Sequence, residues 1–138
     1  MKEKMKILLS LLMVVTVFVS GCEKEMVSQD AVALSIDFTW QGMQPCSWGN
    51  PEIRVSGVPE KTKILKISMY DHAYRHDHGT VLTPYTGRGV IAKDKFKKIQ
   101  GPCPPGAPGR YEITVKALDD KEVVIGIGSQ ERIFPEKE

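Results

Sequence analysis

No H-E-x-x-H occurs in this chain, no G-x-S-x-G surrounds any of its serines, and no glycine-rich phosphate loop leads into a lysine. Ser47, Ser56 and Ser68 have no nucleophile setting, and no pair of carboxylates stands apart from ordinary surface charge. Nothing in the residues argues for an enzyme, and no cofactor is implied. An excess of one charge is lacking as well. Lysine and arginine total 19 against 17 aspartate and glutamate, whereas a nucleic-acid-binding chain gathers a clear surplus of cations. That balance argues against nucleic acid. Histidine and cysteine are scarce, at three each. No apolar run reaches the ~20 residues of a membrane-spanning helix, and no long amphipathic helical pattern is visible.

The main apolar run has a different meaning. Lys2, Lys4 and Lys6 precede an uncharged stretch from Ile7, which closes on Val19-Ser20-Gly21-Cys22. A basic start, a short apolar centre and small residues at a cut site mark a secretory signal. The order aliphatic, small, glycine, cysteine resembles the lipobox of bacterial lipoproteins. That resemblance implies that residues 1–21 are removed and that Cys22 carries acyl chains such as palmitate. Several chains anchor stably where one is marginal. A plain signal with a chance cysteine and an uncleaved anchor helix are the alternatives. Glu23 stands where enteric lipoproteins kept at the inner membrane tend to have Asp. In a source with an outer membrane, that favours the outer membrane, facing the periplasm.

Taking 21 residues from 138 leaves 117, enough for one compact domain and too few for two. The signal removes three lysines and one glutamate, so the remainder balances at 16 cations and 16 anions. A neutral domain offers no basic patch to anionic lipid, so the lipid on Cys22 is expected to be the membrane link. With Cys22 so assigned, Cys46 and Cys103 remain in an exported chain. Two such cysteines most often form one disulfide. Two free thiols, or half of a metal site, are the alternatives.

Residues 22–30 read as the lipidated cysteine and a polar tether, and residues 31–138 as a single domain. Leu34, Ile36, Phe38 and Trp40 alternate with polar neighbours, as in a half-buried strand. Gln41 to Pro51 is a turn-rich loop. Ile53 and Val55 begin a short strand, and Ile64 to Tyr70 reads as a central one. Asp71 to Tyr85 is polar and holds all three histidines, so it reads as a functional loop. Asp94 to Ile99 is either one helical turn or irregular. Gly101 to Gly109, with four prolines and three glycines, excludes regular structure. Tyr111, Ile113, Val115 and Ala117 give another alternating strand, with Val123 to Ile127 as its hairpin partner beyond Asp119-Asp120. The pattern predicts an all-β chain, an antiparallel β-sandwich with few or no helices.

Two segments carry a family resemblance. Gly101-Pro102-Cys103-Pro104-Pro105-Gly106, followed by Arg110-Tyr111 and Ala117-Leu118-Asp119, resembles the G-P-C-P-P…H-R-Y…A-L-D signature of bacterial phosphatidylethanolamine-binding proteins, the Raf kinase inhibitor protein family. Upstream, Asn50-Pro51-Glu52-Ile53, Ser56-Gly57-Val58-Pro59 and Thr62-Lys63 resemble that family's S-P-x-[LI]-x-W-S-G-x-P-x-G-T-K. Met69-Tyr70-Asp71 falls where the family has V-Y-D-P-D. The resemblance implies a sandwich of that family's type, with a small pocket at one end for an anionic or phospholipid-type group. The chain departs from the pattern at Gly109, where the family has His, and at His72-Ala73-Tyr74, where it has P-D-A. The W-H-W segment and the C-terminal helix have no counterpart in the sequence, unless His76 or His78 replaces the histidine.

Carried onto this chain, the resemblance implies a ligand site of Asp71, His76, His78, Gly101 and Tyr111. A tyrosine hydroxyl, an imidazole and backbone N–H groups at a Gly-Pro turn can donate to phosphate oxygens, while Asp71 orients a donor. A rigid proline corner with Tyr111 in the core is the plain alternative. His72, His76 and His78 lie within seven residues, which raises a copper or zinc site as a further alternative. A third reading is an envelope protein-interaction module with a degenerate pocket, favoured if Trp40 or Trp48 is exposed.

Overall fold

The computed structural model describes residues 24–136. The signal segment, Cys22 and the lipid assigned to it lie outside the described residues. Eight strands follow in order: β1 (Val27–Ala33), β2 (Ser35–Thr39), β3 (Glu52–Ser56), β4 (Ile64–Asp71), β5 (His76–Pro84), β6 (Val90–Ile91), β7 (Gly109–Leu118) and β8 (Val124–Phe134). They form a five-stranded sheet, ordered β1-β8-β7-β4-β5, and a three-stranded sheet, ordered β2-β3-β6. The fold is all-β, and both sheets and their shared core are built within residues 24–136.

Period-two alternation sets the inward faces. On β4, Leu65, Ile67, Met69 and Asp71 are buried, while Lys66, Ser68 and Tyr70 face outward. On β7, Tyr111, Ile113, Val115 and Ala117 do the same. The smaller sheet supplies Ile36, Phe38, Ile53 and Val55 from the opposite side. Trp40 closes the core edge-on to Phe38, Tyr111 and Phe134. Emptying such positions is costly, roughly 2–5 kcal/mol for a buried Ile or Met cut back to Ala.

Three expectations are corrected. The sandwich is not purely antiparallel, because β1 pairs with β8 in parallel. This strand starts at Val27, inside the stretch read as tether. Its side chains are mostly exposed, so backbone pairing holds it and no hydrophobic alternation betrays it. Asp71 to Tyr85 is not a loop. A four-residue turn, His72 to Arg75, joins β4 to β5 in a hairpin. As an edge strand, β5 buries only part of one face, and a bulge interrupts its alternation. Third, β8 runs on to Phe134, well beyond Ile127; β4 is a central strand as read, paired with β5 and β7. Asp94 to Ile99 is irregular, without a helical turn.

Candidate functional site

The β4–β5 bulge builds the site. Met69 pairs with Gly79 and Tyr70 with Asp77, so His78 is the extra residue without an opposite number. A bulge re-aims a side chain, and here it turns His78 inward, leaving it only 5% exposed. Gly79 makes this possible. Its φ is +119°, and a Cβ there would meet the Lys98 carbonyl oxygen at 2.9 Å.

Register brings the remaining groups to the same end. Asp71 pairs with His76 on one side and with Tyr111 on the other. The Asp71 Oδ1 accepts from the Ala73 and Tyr74 N–H groups, at 2.8 and 3.1 Å, and so shapes the turn. Its Oδ2 lies 4.0 Å from Nε2 of His78, beyond hydrogen-bond reach. Nδ1 of His78 is 3.0 Å from the Gln100 carbonyl. A carbonyl only accepts, so Nδ1 carries the proton and Nε2 is left with a lone pair. Burial pushes the pKa of His78 down, which favours this neutral form. The rings of His76 and Tyr111 contact His78 edge-on, at 5.0 and 5.3 Å.

Tyr111 is fully buried, and its hydroxyl accepts from the Cys103 N–H at 3.2 Å. Burial first, then the negative charge of Asp71, pushes its pKa up to about 12. The second wall is the loop pair 46–49 and 99–102. Cys46 N–H donates to Pro102, Gly101 N–H to Ser47, Gly49 N–H to Ile99 and Gln100 N–H to His78. The Cys46–Cys103 disulfide closes this pair, its Cα atoms 4.3 Å apart. The result is a pocket of about 350 Å³ lined by Asp71, Tyr74, His76, His78, Gln100, Cys103 and Pro105.

Of the expected site residues, Asp71, His76 and His78 line the pocket, and Tyr111 lies against His78. Gly101 takes a different role from the one expected. Its N–H is spent on Ser47 at 2.7 Å, so it is not a free donor for an anion. Among the lining residues, His76, Tyr74 and Gln100 carry donor groups, as does His78 when protonated. Tyr74 and Gln100 were missed by sequence reasoning. Their signal was position alone, Gln100 directly before Gly101-Pro102-Cys103 and Tyr74 in the segment after Asp71.

The histidine metal set is not assembled. His72 lies on the outer face, with Nε2 2.6 Å from Oε2 of Glu112 and its ring against Tyr70. His76 and His78 stand at the pocket, on the other side of the sheet. His72 follows the inward-facing Asp71 and so points outward, and among the described residues no three His, Cys, Asp or Glu side chains gather as metal ligands.

No family model matches the sequence, and no curated protein is significantly similar to it. The fold does have counterparts among solved structures. One is CT736 from Chlamydia trachomatis, described as a phosphatidylethanolamine-binding protein homologue. It is 17% identical, with a TM-score of 0.51 over 78% of this chain and 99% of that one. Another is YbcL from E. coli, described as a new member of the mammalian family of such proteins. It is 20% identical, with a TM-score of 0.51 over 83% of this chain and 93% of that one. The fold is therefore of the phosphatidylethanolamine-binding type, as the two sequence segments imply.

Proposed function

We propose that this protein is an exported, lipid-anchored binding protein that holds a small anionic or phospholipid-type ligand at the Asp71–His78 pocket without catalysis. The bulge carries this reading. It commits a neutral, buried imidazole to the wall of a pocket and leaves its Nε2 without a hydrogen-bonded partner. An anion entering there is matched by a proton on His78. The resulting imidazolium lies between the ligand and Asp71, while His76, Tyr74 and Gln100 supply further donors. The fold supports the same reading, since the two solved neighbours are described by a family name that refers to phospholipid binding.

The test is the melting temperature of the chain from Glu23 to Glu138 against phosphate esters, phospholipid head groups and divalent metals. A ligand that binds only the folded state stabilises it by about 2.7 kcal/mol at a hundred times Kd. A rise with phosphate compounds, lost in His78→Gln and Tyr111→Phe, supports the reading. A rise that survives both substitutions refutes the site. The anchor is checked separately, by mass spectrometry of the full-length chain and by its release from membranes in Cys22→Ser.

A second reading has one observation in its favour. Trp48 is 57% exposed on the loop that pairs with Gln100 at the pocket wall, whereas Trp40 is buried. An exposed tryptophan is a frequent anchor in protein interfaces. An envelope protein partner would bind over this rim, and its capture would be lost in Trp48→Ala with the pocket intact.

A further inference from the structure

Overall neutrality conceals an uneven spread of charge. Lys93, Lys95, Lys97 and Lys98 fall within six residues. The buried Asn50 fixes this segment: its amide donates to the Ala92 carbonyl at 2.9 Å, and its Oδ1 accepts from the Phe96 N–H at 2.8 Å. The segment thereby lies along the free edge of β5. A groove of about 670 Å³ separates the two, lined by Thr80, Val81, Leu82 and residues 95–98. Leu82 is 62% exposed, and Lys95 lies 5.3 Å from the centre of the Phe96 ring. Asp94 engages Lys93 and Lys97. Lys95 and Lys98 have no acidic partner among the described residues.

The same edge lies near the start of the described chain. Thr80 and Leu82 also line a second groove, of about 470 Å³, together with Lys24, Met26 and Lys121. Lys24 is two positions after Cys22, a reach of at most about 7 Å. On the anchor reading, the lipid holds this end of the described chain to the bilayer, and with it the groove that Lys24 shares with Leu82.

We propose that the β5 edge and the Lys93–Lys98 segment form a docking surface for an anionic phospholipid membrane. Lysine ammonium groups meet the lipid phosphates, while the exposed Leu82 reaches the interface. A basic, partly apolar patch of this kind adds a second attachment to a lipid chain. Its position relative to the bilayer rests on the anchor reading of Cys22. The proposal departs from the expectation of a domain indifferent to lipid for a simple reason: a charge count holds no information on where the charges lie.

The test uses the chain from Glu23 to Glu138, with a single cooperative melt confirming the fold of each variant. The chain is expected to float with vesicles of equal parts phosphatidylglycerol and phosphatidylcholine and not with phosphatidylcholine alone. Binding weakens as salt rises. Lys95→Gln, Lys97→Gln and Lys98→Gln combined lower partitioning by roughly 100-fold, at about fivefold per lysine. Leu82→Ser lowers it further, and Arg54→Gln in the opposite sheet does not. No flotation on the anionic vesicles, or flotation indifferent to the three lysines, overturns the proposal. Capture of polyglutamate without vesicle binding overturns it too, and reassigns the strip to an acidic protein partner. Because this chain lacks Cys22, failure of the anchor reading is seen elsewhere, as an unacylated full-length chain.

Discussion

Tyr111 lies across Gly109: a Cβ on residue 109 would stand about 2.5 Å from its ring and hydroxyl. The two are neighbours on the same face of β7, and the ring fills the space that a side chain at residue 109 would need. That space is what lets the hydroxyl reach the Cys103 N–H and abut Asp71. The Gly109 departure from the family signature is therefore coupled to the placement of Tyr111.

Gly109→Ala should displace the ring. Overpacking a closed core costs roughly 1–3 kcal/mol, so the melting temperature falls, and the shift produced by phosphate esters falls with it. Tyr111→Phe instead keeps the ring and leaves the Cys103 N–H without its acceptor, at about 1–3 kcal/mol. If Gly109→Ala melts like the parent chain, the coupling between the two residues is refuted.

Cys46 and Cys103 are 57 residues apart in sequence, and their bridge closes the loop pair behind the pocket. On the chain-entropy account a loop of that length stabilises by about 4 kcal/mol. Urea denaturation of Cys46→Ala/Cys103→Ala should show a loss of that order. Because Cys103 also lines the pocket, ligand affinity should weaken in the same variant. Unchanged stability would mean that the backbone hydrogen bonds alone hold the loops together.

How much of this was legible beforehand follows from what a sequence pattern encodes. Alternation at Leu65-Ile67-Met69 and Tyr111-Ile113-Val115 reports burial directly, so β4 and β7 were readable. The disulfide was readable from a count of three cysteines in a chain whose start reads as an export signal. Strand β1 was not, because its exposed side chains carry no periodicity and backbone pairing is silent in sequence. The inward turn of His78 was hidden as well, since a one-residue bulge shifts the face of everything beyond it. His72 is set apart by plain alternation, since it follows the inward-facing Asp71, whereas His76 and His78 stay in ring contact. The occupied N–H of Gly101 depends on Ser47, 54 residues earlier, which no local motif records.

His78 gives a pH dependence whose sign is fixed by burial. Its pKa in the folded chain is lowered, so the unfolded chain binds the proton more tightly. Stability is fully present above the unfolded histidine value of about 6.5, and is lost as pH falls from there through the folded value. His78→Gln should flatten the stability profile in that window. A bound anion favours the imidazolium, so ligand affinity should rise as pH falls, with proton uptake. Titration calorimetry in two buffers of different ionisation enthalpy measures that uptake; none at all would exclude His78 from the site.

Glu25 is the clamp that holds the start of the described chain to the large sheet. Its carboxylate pairs with Lys116 on β7 and, at 2.9 Å, with Lys66 on β4. The hydrogen bond from Lys116 first, then that from Lys66, lowers its pKa. The stabilisation is present above the ordinary glutamate range and lost as pH falls through the lowered value. A half-exposed pair network of this kind contributes about 1 kcal/mol. Since β1 buries little of its own surface, that energy falls mainly on local opening. Glu25→Gln should raise amide exchange in residues 27–33 by about fivefold at neutral pH, with β7 and the global melting temperature nearly unchanged. Unaltered exchange in β1 would show that its pairing with β8 suffices without the clamp.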